Sequence, residues 1–406
     1  MPLIQKIKIA VIGGGAAGFM AAVTAKENNP NAHVTIFEKS NKVLSKVLIS
    51  GGGRCNVTHN CKSISQLIKN YPRGGKELKK SFNQFSNSDT IEWFKKNNIK
   101  LKIEADNRMF PETNSSQTII DLFIKKTEKL NIKICLSSKV DKIQHSKDKI
   151  SLQVNNKNIK FDRLIISTGG YPKISGFKLF KELGYNISSP VPSLFTFNIP
   201  NDDITKLMGV VVENASAKVK GLKLKQNGPV LITHWGLSGP CILKLSSWGA
   251  KDLADLEYHF ITQINWLSEN EEFARAGINK QITSNKNIYN SNPFSLPKRL
   301  WHHILEKVKI DELQKWNVLN KKLRNRLINT LVNDEFTING KTTFKEEFVT
   351  CGGITLEQIN MQTMESKIHK NIYFSGEVLN IDAVTGGFNF QAAWTTGYLC
   401  GKNASK

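Results

Sequence analysis

The stretch from Ile7 to Ala22, which reads IKIAVIGGGAAGFMAA, constrains the fold more than any other part of this sequence. An apolar run breaks into three consecutive glycines and then resumes as a small-residue helix pattern. This order predicts a buried strand that turns tightly into a helix. Gly13 permits the turn, Gly15 lets the backbone approach a pyrophosphate, and Gly18 lets the helix pack against its strand.

A second predicted strand, His33 to Phe37, ends in Glu38, twenty residues after Gly18. An acid at this spacing accepts hydrogen bonds from the hydroxyls of an adenosine ribose. Free N–H groups at the preceding helix N-terminus favour phosphate. Strand, turn, helix, strand and acid follow in order, so the sequence predicts an α/β fold with a Rossmann-type dinucleotide-binding domain.

The chain of 406 residues exceeds the size at which single hydrophobic cores stop growing, so we expect two or three domains. No apolar stretch approaches the roughly 18 residues that a membrane span needs, and the N-terminal apolar run is used by the first strand. We therefore expect a cytoplasmic protein without membrane contact. The cysteines show neither a CxxC motif nor metal-ligand spacing, so we expect free thiols and no metal at Cys55, Cys61, Cys135, Cys241, Cys351 and Cys400.

The net charge is unusually high, at +23 from 57 Lys and Arg against 34 Asp and Glu. Codon bias explains why only eight of the 57 are Arg, but it does not explain the excess of basic over acidic residues. An excess of this size predicts binding to a polyanion, and we expect contact with nucleic acid.

A second glycine cluster lies in KVLISGGGRCNVTHN, from Lys46 to Asn60. Three consecutive glycines are costly to order, so we expect a ligand to approach the backbone here. A fixed Arg54 beside exposed N–H groups suits a diphosphate or a flavin edge. The alternative is a flexible surface loop.

The segment that follows predicts further elements of the first domain. We expect strands at Ile99–Glu104 and Ile132–Leu136, a turn at Arg108–Pro111, a helix at Ser115–Leu130 and a hairpin at Lys149–Asp162. A strand that starts at Arg163 then ends in Thr168-Gly169-Gly170 and returns the chain to the sheet.

The last sixty residues also return to the first domain. Strands at Phe348–Ile354 and Asn371–Glu377 precede a glycine pair, Gly386-Gly387, that opens the helix Ala392–Leu399. A second helix N-terminus would stabilise negative charge on the N1–C2=O edge of a reduced flavin. This second site favours FAD over NAD as the resident cofactor.

The middle of the chain differs in character. The segment Pro190–Pro200 begins and ends with proline, which marks a domain boundary. Short β-like runs after it predict a small antiparallel β-domain. Lys298–Arg326 holds nine Lys and Arg against three acids, interleaved with Trp301, His302, His303 and Trp316. Such a mixture suits phosphate contacts with base stacking. Equally, the Trp side of a helix is commonly core and the Lys side solvated.

Several long motifs occur in a fixed order along nearly the whole chain. They are VIGGGAAGFMAA, KVLISGGGRCNVT, STGG, PSLF, THWGLSGP, VTCGGI, TMESK and SGEVLNIDAVTGGFNFQAAWTTGYLCG. With them the chain resembles the BaiN-like family of bacterial NAD(P)/FAD-dependent oxidoreductases, some labelled aminoacetone-oxidase-like and some identified as ribosomal RNA dihydrouridine synthases. The resemblance implies an FAD-binding Rossmann-like domain at 1–190 and 347–406, a small antiparallel β-barrel at 191–264 and 331–346, and a helical insertion at 265–330.

The resemblance also implies which residues bind FAD non-covalently. Carried over by position, they are Gly13, Gly15, Ala17, Gly18, Glu38, Lys39, Lys46, Gly52, Gly53, Arg54, Asn56, Thr168, Gly169, Gly376, Glu377, Asp382, Gly387 and Asn389. Where the family reads Asp-Ile-Asp-Gly, this chain reads Asn380-Ile381-Asp382-Ala383, which keeps the carboxylate at Asp382.

Within this family, the charge of the chain favours RNA as the substrate. We expect reduction of a uridine in ribosomal RNA to dihydrouridine, with Cys55 or His234 as the proton donor. His234 is alternatively a structural histidine. No second GxGxxG follows, so we expect NAD(P)H to visit the flavin transiently. The alternatives are an oxidase or reductase of a small unsaturated or amino substrate, and an RNA-binding assembly factor with structural FAD; the sequence sets no oligomeric state.

Overall fold

The structure of the chain, a computed structural model, describes residues 6–146, 149–343 and 349–406. The chain divides into two compact units. Unit 1 consists of Met1–Pro192 and Lys345–Lys406, and unit 2 consists of Ser193–Phe344. The domain boundary predicted at 346/347 and the first residue of the strand predicted from Phe348 lie outside the described residues.

Unit 1 begins with a series of strands and helices, the last of which, β11, ends at the first residue of unit 2. Its strands are β1 Lys8–Ile12, β2 His33–Phe37, β3 Thr58–His59, β4 Leu101–Ile103, β5 Arg108–Pro111, β6 Lys133–Cys135, β7 Val140–His145, β8 Ile150–Val154, β9 Lys157–Phe161, β10 Arg163–Ile166 and β11 Ile187–Ser193. Its helices are α1 Ala16–Asn28, α2 Ser45–Gly53, α3 Ile64–Ile68, α4 Gly75–Phe82, α5 Asn87–Lys96, α6 Gln117–Lys129 and α7 Lys178–Glu182.

Unit 2 contains the strands β12 Thr196–Asn198, β13 Val211–Val219, β14 Lys225–Thr233, β15 Gly236–Ser238, β16 His259–Asn265, β17 Asp334–Asn339 and β18 Lys341–Thr342. Its helices are α8 Gly239–Trp248, α9 Ala250–Asp255, α10 Glu271–Asn279, α11 Lys298–Val308 and α12 Lys321–Val332. The chain then returns to unit 1 with β19 Val349–Ile354, β20 Ile372–Phe374 and α13 Phe388–Ala404.

A parallel five-stranded sheet in the order β20-β10-β1-β2-β6 forms the centre of unit 1. Its strands β20, β10, β1 and β2 are mostly buried, as expected for a parallel sheet covered on both faces, whereas the edge strand β6 is partly exposed. The N–H of Gly13 donates to the carbonyl of Phe37 (2.8 Å), so the turn after β1 lies beside the end of β2. The carboxyl ends of the strands thus meet at one edge, where ligands bind in this class of sheet.

Helices α1 and α13 pack closely through small residues. A side chain at Gly397 would lie 2.5 Å from the carbonyl oxygen of Ala17, and one at Gly401 would lie 2.3 Å from that of Ala21. The two backbones approach this closely because both positions are glycine. This packing connects the last helix of the chain to the first.

The prediction of a turn at Arg108–Pro111 is wrong. These residues form β5, which pairs antiparallel with both β3 and β4. The turn comes earlier, at Asp106 and Asn107, where Asn107 has a left-handed φ of +65°. The polar Asp-Asn pair, which tolerates this conformation, is the local signal for the turn.

Unit 2 is organised around an antiparallel sheet in the order β17-β16-β13-β14-β15-β12-β18. The small antiparallel β-domain expected from the sequence corresponds to this sheet, and its closure into a barrel stays a prediction. Trp301 and Trp316 are fully buried in the core of unit 2. The hypothesis that they stack on bases is therefore wrong, because a ring without exposed surface cannot receive a base. Of the described helices, none is long and apolar enough to cross a membrane.

Candidate functional site

The turn between β1 and α1 excludes side chains at two positions. Gly13 has φ +108°, and a Cβ there would lie 2.3 Å from the carbonyl oxygen of Ser167. A Cβ at Gly18 would lie 2.0 Å from the carbonyl oxygen of Gly13. These contacts hold the turn against the end of β10, so Gly13 and Gly18 fix the geometry of the backbone.

The N-terminus of α1 is accessible to a ligand. Among the described residues, none caps this helix with its side chain, and a Cβ at Gly15 would meet no atom within 4 Å. The first N–H groups of a helix have no intrahelical acceptor, and the helix dipole adds positive potential there. The turn can therefore bind an anion such as a diphosphate.

Glu38 lies beside this turn. Its Oε2 accepts from the Gly14 N–H (2.8 Å), and its Oε1 accepts from the N–H (2.8 Å) and hydroxyl (2.9 Å) of Ser40. An ionised carboxylate offers about four acceptor positions. The side chain is therefore fixed in place and retains capacity for a further donor such as a sugar hydroxyl.

The second glycine cluster ends α2 in left-handed backbone. Gly51, Gly52 and Gly53 have φ of +58°, +67° and +80°, and at Gly52 and Gly53 a Cβ would meet no described atom within 4 Å. Arg54 donates to Oε1 of Glu104 (2.6 Å) and lies 4.1 Å from the centroid of the Phe110 ring. The glycine cluster therefore leaves its backbone accessible, and the contacts of Arg54 hold the end of the cluster in place.

The C-terminal segment meets the first turn of α1. A Cβ at Gly376 would lie 3.0 Å from the Cβ of Ala17. Glu377 follows, accepting from the Thr350 N–H (2.7 Å) and pairing with Lys46 Nζ (2.8 Å). Residues predicted from three separate motifs are thereby brought together within unit 1.

The N-terminus of α13 is held by Asn56. The Asn56 amide accepts from the Gly387 N–H (2.9 Å) and donates to the Thr58 carbonyl (3.0 Å). Gly387 has φ +88°, and a Cβ there would lie 2.6 Å from the Thr58 oxygen. Asn389 exchanges two hydrogen bonds of 3.0 Å with the backbone of Ala383 and so closes the preceding loop.

The remaining predicted cofactor residues also belong to unit 1. Thr168 follows β10, with its Cα 3.1 Å from the position of a Gly13 Cβ, and Gly169 has φ +74°. Lys39 Nζ lies 5.8 Å from the centroid of the Tyr171 ring. Asp382 is fully buried and forms an ion pair with Arg73.

The two predicted proton donors have contrasting environments. Cys55 is fully buried in unit 1, and burial raises the pKa of its thiol to about 12. A thiol without exposed surface cannot contact a substrate in this conformation. His234 is exposed in unit 2, on the turn between β14 and β15. Its catalytic role stays a prediction, as does that of Cys55, but burial argues against direct action by Cys55.

Two structural pairs were missed in the sequence. The first is Arg73–Asp382, whose Nε–Oδ1 distance is 2.6 Å and whose members are 309 residues apart. The second is Cys61 with His59, at 3.2 Å between Sγ and Nδ1. Among the described residues, no group of three or more His, Cys, Asp or Glu side chains could hold a metal ion.

Comparison with known proteins identifies relatives over nearly the whole chain. The family described as HI0933-like protein Rossmann domain matches residues 7–403. The ribosomal RNA dihydrouridine synthase of Escherichia coli K12 is 27% identical over 98% of both chains. The 3-dehydro-bile acid delta(4,6)-reductase of Clostridium scindens is 26% identical over 98% of this chain and 99% of that protein.

Solved structures share the fold at lower identity. A flavocytochrome c3 fumarate reductase matches with a TM-score of 0.50 and 15% identity over 99% of this chain and 78% of that one. The E. coli quinol fumarate reductase matches with a TM-score of 0.52 and 13% identity over 99% and 70%. Together these matches confirm the predicted α/β fold with a Rossmann-type domain, the family resemblance and the oxidoreductase class. The chain belongs to the HI0933-like Rossmann family.

Proposed function

We propose that the chain is an FAD-dependent oxidoreductase that reduces a uridine of ribosomal RNA to dihydrouridine, with NAD(P)H as the electron source. The observation that carries the proposal is the backbone cradle of unit 1, in which the parallel helices α1 and α13 direct their N-termini the same way and an acid, Glu38, follows β2. Full-length relatives named ribosomal RNA dihydrouridine synthase support the choice of substrate.

The chemistry of the cradle fits FAD. Backbone at Gly15, Gly52, Gly53 and Gly169 has no described atom within 4 Å of a Cβ position, so a ligand can lie against it. The α1 N-terminus suits the pyrophosphate, and Glu38 retains acceptor capacity for the adenosine ribose. The α13 N-terminus suits the electron-rich edge of a reduced flavin.

We therefore assign distinct roles to the residues of unit 1. The turn containing Gly13 and Gly15 binds the pyrophosphate, and Glu38 binds the ribose. Lys46 and Glu377, already paired with each other, border the same edge. Asn56 and Asn389 hold the α13 N-terminus in place. The other predicted contacts are Ala17, Gly18, Lys39, Arg54, Thr168, Gly376 and Gly387. Asp382, which was also predicted, is fully buried and paired with Arg73, so it is assigned no direct contact.

When bound in this cradle, FAD would supply the two-electron chemistry by which a hydride from NAD(P)H reaches C6 of the uracil ring. C5 then needs one proton, so uridine, NAD(P)H and a proton give dihydrouridine and NAD(P)+. His234 is the better candidate to deliver that proton, because it is exposed whereas Cys55 is buried. The target base has to leave its stack to be reached by an enzyme.

The second candidate function is reduction of a small conjugated substrate. It is favoured by the relative named 3-dehydro-bile acid delta(4,6)-reductase, which matches at nearly the same identity. Both reactions add two hydrogens across a carbon–carbon double bond conjugated to a carbonyl group. A net charge of +23 favours RNA, because a small substrate does not require a strongly basic protein.

One experiment separates these functions. The purified flavoprotein is reduced with NADH or NADPH without oxygen, and its reoxidation is followed after adding unmodified ribosomal RNA, a steroid enone or buffer. We expect rapid reoxidation with RNA. Rapid reoxidation by the enone alone would establish the second candidate, and no reoxidation by either would favour an RNA-binding factor with structural FAD.

A further inference from the structure

The turn between β14 and β15, Thr233–Gly236, presents an aromatic pair outward from unit 2. Trp235 is 46% exposed, and its ring centroid lies 4.7 Å from that of His234 at an interplanar angle of 43°. Among the described residues, the indole N–H of Trp235 has no hydrogen-bond acceptor. A large ring with a free donor is therefore accessible at this position.

The backbone that carries Trp235 is fixed. Its N–H donates to the Thr233 hydroxyl (3.2 Å), and its carbonyl accepts from the Ile199 N–H (2.8 Å). A Cβ at Gly236 would lie 2.3 Å from the Phe197 oxygen, so the turn is packed tightly against β12. The exposed ring is thus held by a rigid support, which lowers the entropic cost of binding.

A cation lies at the same end of the sheet. The Gly209 N–H donates to the Ile232 carbonyl (2.9 Å), which places Met208, 57% exposed, near the turn. Arg299 donates to the carbonyls of Met208 (3.3 Å) and Lys206 (2.7 Å). It has no carboxylate partner among the described residues, so its positive charge is not compensated by an ion pair.

We propose that this turn is a nucleobase-stacking platform, on which Trp235 stacks an unpaired base of the RNA while Arg299 contacts a neighbouring phosphate. Exposed aromatic rings beside cations are the usual arrangement for binding single strands, because every base has a π-face. The proposal rests on the proposed function and identifies how its RNA substrate is held. It replaces the buried Trp301 and Trp316 as the source of stacking.

The test compares a short oligouridylate with an abasic strand of the same length, each titrated against the FAD-loaded protein at several salt concentrations. Trp235→Ala should weaken binding of oligouridylate by about tenfold at every salt concentration, as expected for loss of one stacked base. Binding of the abasic strand should not change. Arg299→Gln should weaken binding of both strands and make the slope of log affinity against log salt concentration shallower by about 0.7.

Trp248→Ala is the matched control, because Trp248 is another exposed Trp of unit 2, at 39%, on α8. It should bind both strands as the unmodified protein does. Trp235→Phe, which keeps an aromatic face, should retain most of the affinity. Unchanged binding by Trp235→Ala, an equal loss for both strands, or failure of the unmodified protein to bind oligouridylate would overturn the platform.

Failure of the platform and failure of the proposed function give different results. If Trp235→Ala binds normally while the unmodified protein still reduces uridine in ribosomal RNA, only the platform is wrong. If the unmodified protein binds the strand through Trp235 but reduces no uridine, the platform is retained and the reaction is wrong.

Discussion

The candidate cofactor site of unit 1 and the candidate RNA-binding surface of unit 2 differ in the groups that form them: backbone in unit 1, side chains in unit 2. The cradle of unit 1 is largely backbone, fixed by glycines at which a side chain would collide with a neighbouring carbonyl, such as Gly13, Gly18 and Gly387. The RNA-contacting side chains that we propose for unit 2 are exposed, on the Thr233–Gly236 turn and, within the basic segment Lys298–Arg326, at the start of α12. Changes in unit 1 should therefore remove the cofactor, whereas changes in unit 2 should alter RNA affinity and leave the cofactor bound.

The largest effect is expected for Glu38→Ala. A hydrogen bond to a charged group contributes about 1.5–3 kcal/mol, so loss of the ribose contact that Glu38 can still accept should weaken FAD binding by roughly 10- to 100-fold. Flavin absorbance after extensive dialysis measures this. Ser40→Ala, which removes only one donor to Glu38, should keep most of its flavin. Full flavin occupancy in Glu38→Ala would show that the ribose is placed wrongly.

Gly387→Ala should have the next largest effect. Its Cβ would lie 2.6 Å from the Thr58 oxygen, so the start of α13 has to move. We expect FAD affinity to fall about tenfold and the free energy of unfolding to fall by about 2 kcal/mol. Gly184→Ala is the control, because Gly184 has a similar φ, +86°, but no described atom within 4 Å. Equal losses in both variants would mean that backbone strain, and not the contact, is responsible.

A smaller effect, confined to RNA, is expected from charge reversal on α12. Lys321, Lys322 and Arg326 are exposed, whereas Arg324 is only partly exposed and is best left unchanged. When these three residues are replaced with Glu, the slope of log affinity against log salt concentration should become shallower by about 2. This value corresponds to roughly 0.7 for each phosphate contact that is lost. Flavin content should stay constant.

The comparison set lies on α4 of unit 1, where Lys76, Lys79 and Lys80 are also exposed. If reversal on α12 leaves the slope unchanged while reversal on α4 flattens it, the main phosphate-binding surface belongs to unit 1. The proposal that unit 1 binds the cofactor and unit 2 binds the RNA would then be wrong. Arg73 does not belong in this set, because it is paired with the buried Asp382.

The smallest effect is expected for Cys55→Ala. The thiol is fully buried with a pKa raised to about 12, so it stays protonated at neutral pH and should resist alkylation in the folded protein. We expect unchanged uridine reduction and a loss of about 1 kcal/mol in the free energy of unfolding. Mass spectrometry after iodoacetamide treatment and single-turnover rates check both. A loss of turnover with normal flavin content would return Cys55 to the reaction.

The cradle could be predicted from sequence because its signals are local. A glycine that permits a tight turn or a close contact, such as Gly13 or Gly18, is recognisable from the few residues around it. Glu38 is likewise recognisable because it directly follows a predicted strand. The predicted strands that became β1 and β10 were apolar runs that ended in small residues. Most boundaries moved by one to three residues, as expected when fraying ends are assigned. The exception is α13, which begins four residues before and ends five residues after the predicted helix Ala392–Leu399.

The features that escaped prediction depend on tertiary packing. Arg73 and Asp382 are 309 residues apart, so no local pattern connects them. Trp301 and Trp316 are buried although they alternate with lysines, whereas Trp235 is exposed in a segment without charges. Composition around a tryptophan therefore did not indicate its burial. On α11 the i, i+3, i+4 and i+7 spacing of Trp301, Ile304, Leu305 and Val308 was the better guide.

The most direct test of the central claim is the dihydrouridine content of ribosomal RNA from cells that lack this gene, measured by mass spectrometry of RNA fragments. The account predicts that one dihydrouridine disappears on deletion, returns with the unmodified protein and does not return with Glu38→Ala. A dihydrouridine pattern that is the same before and after deletion would contradict it.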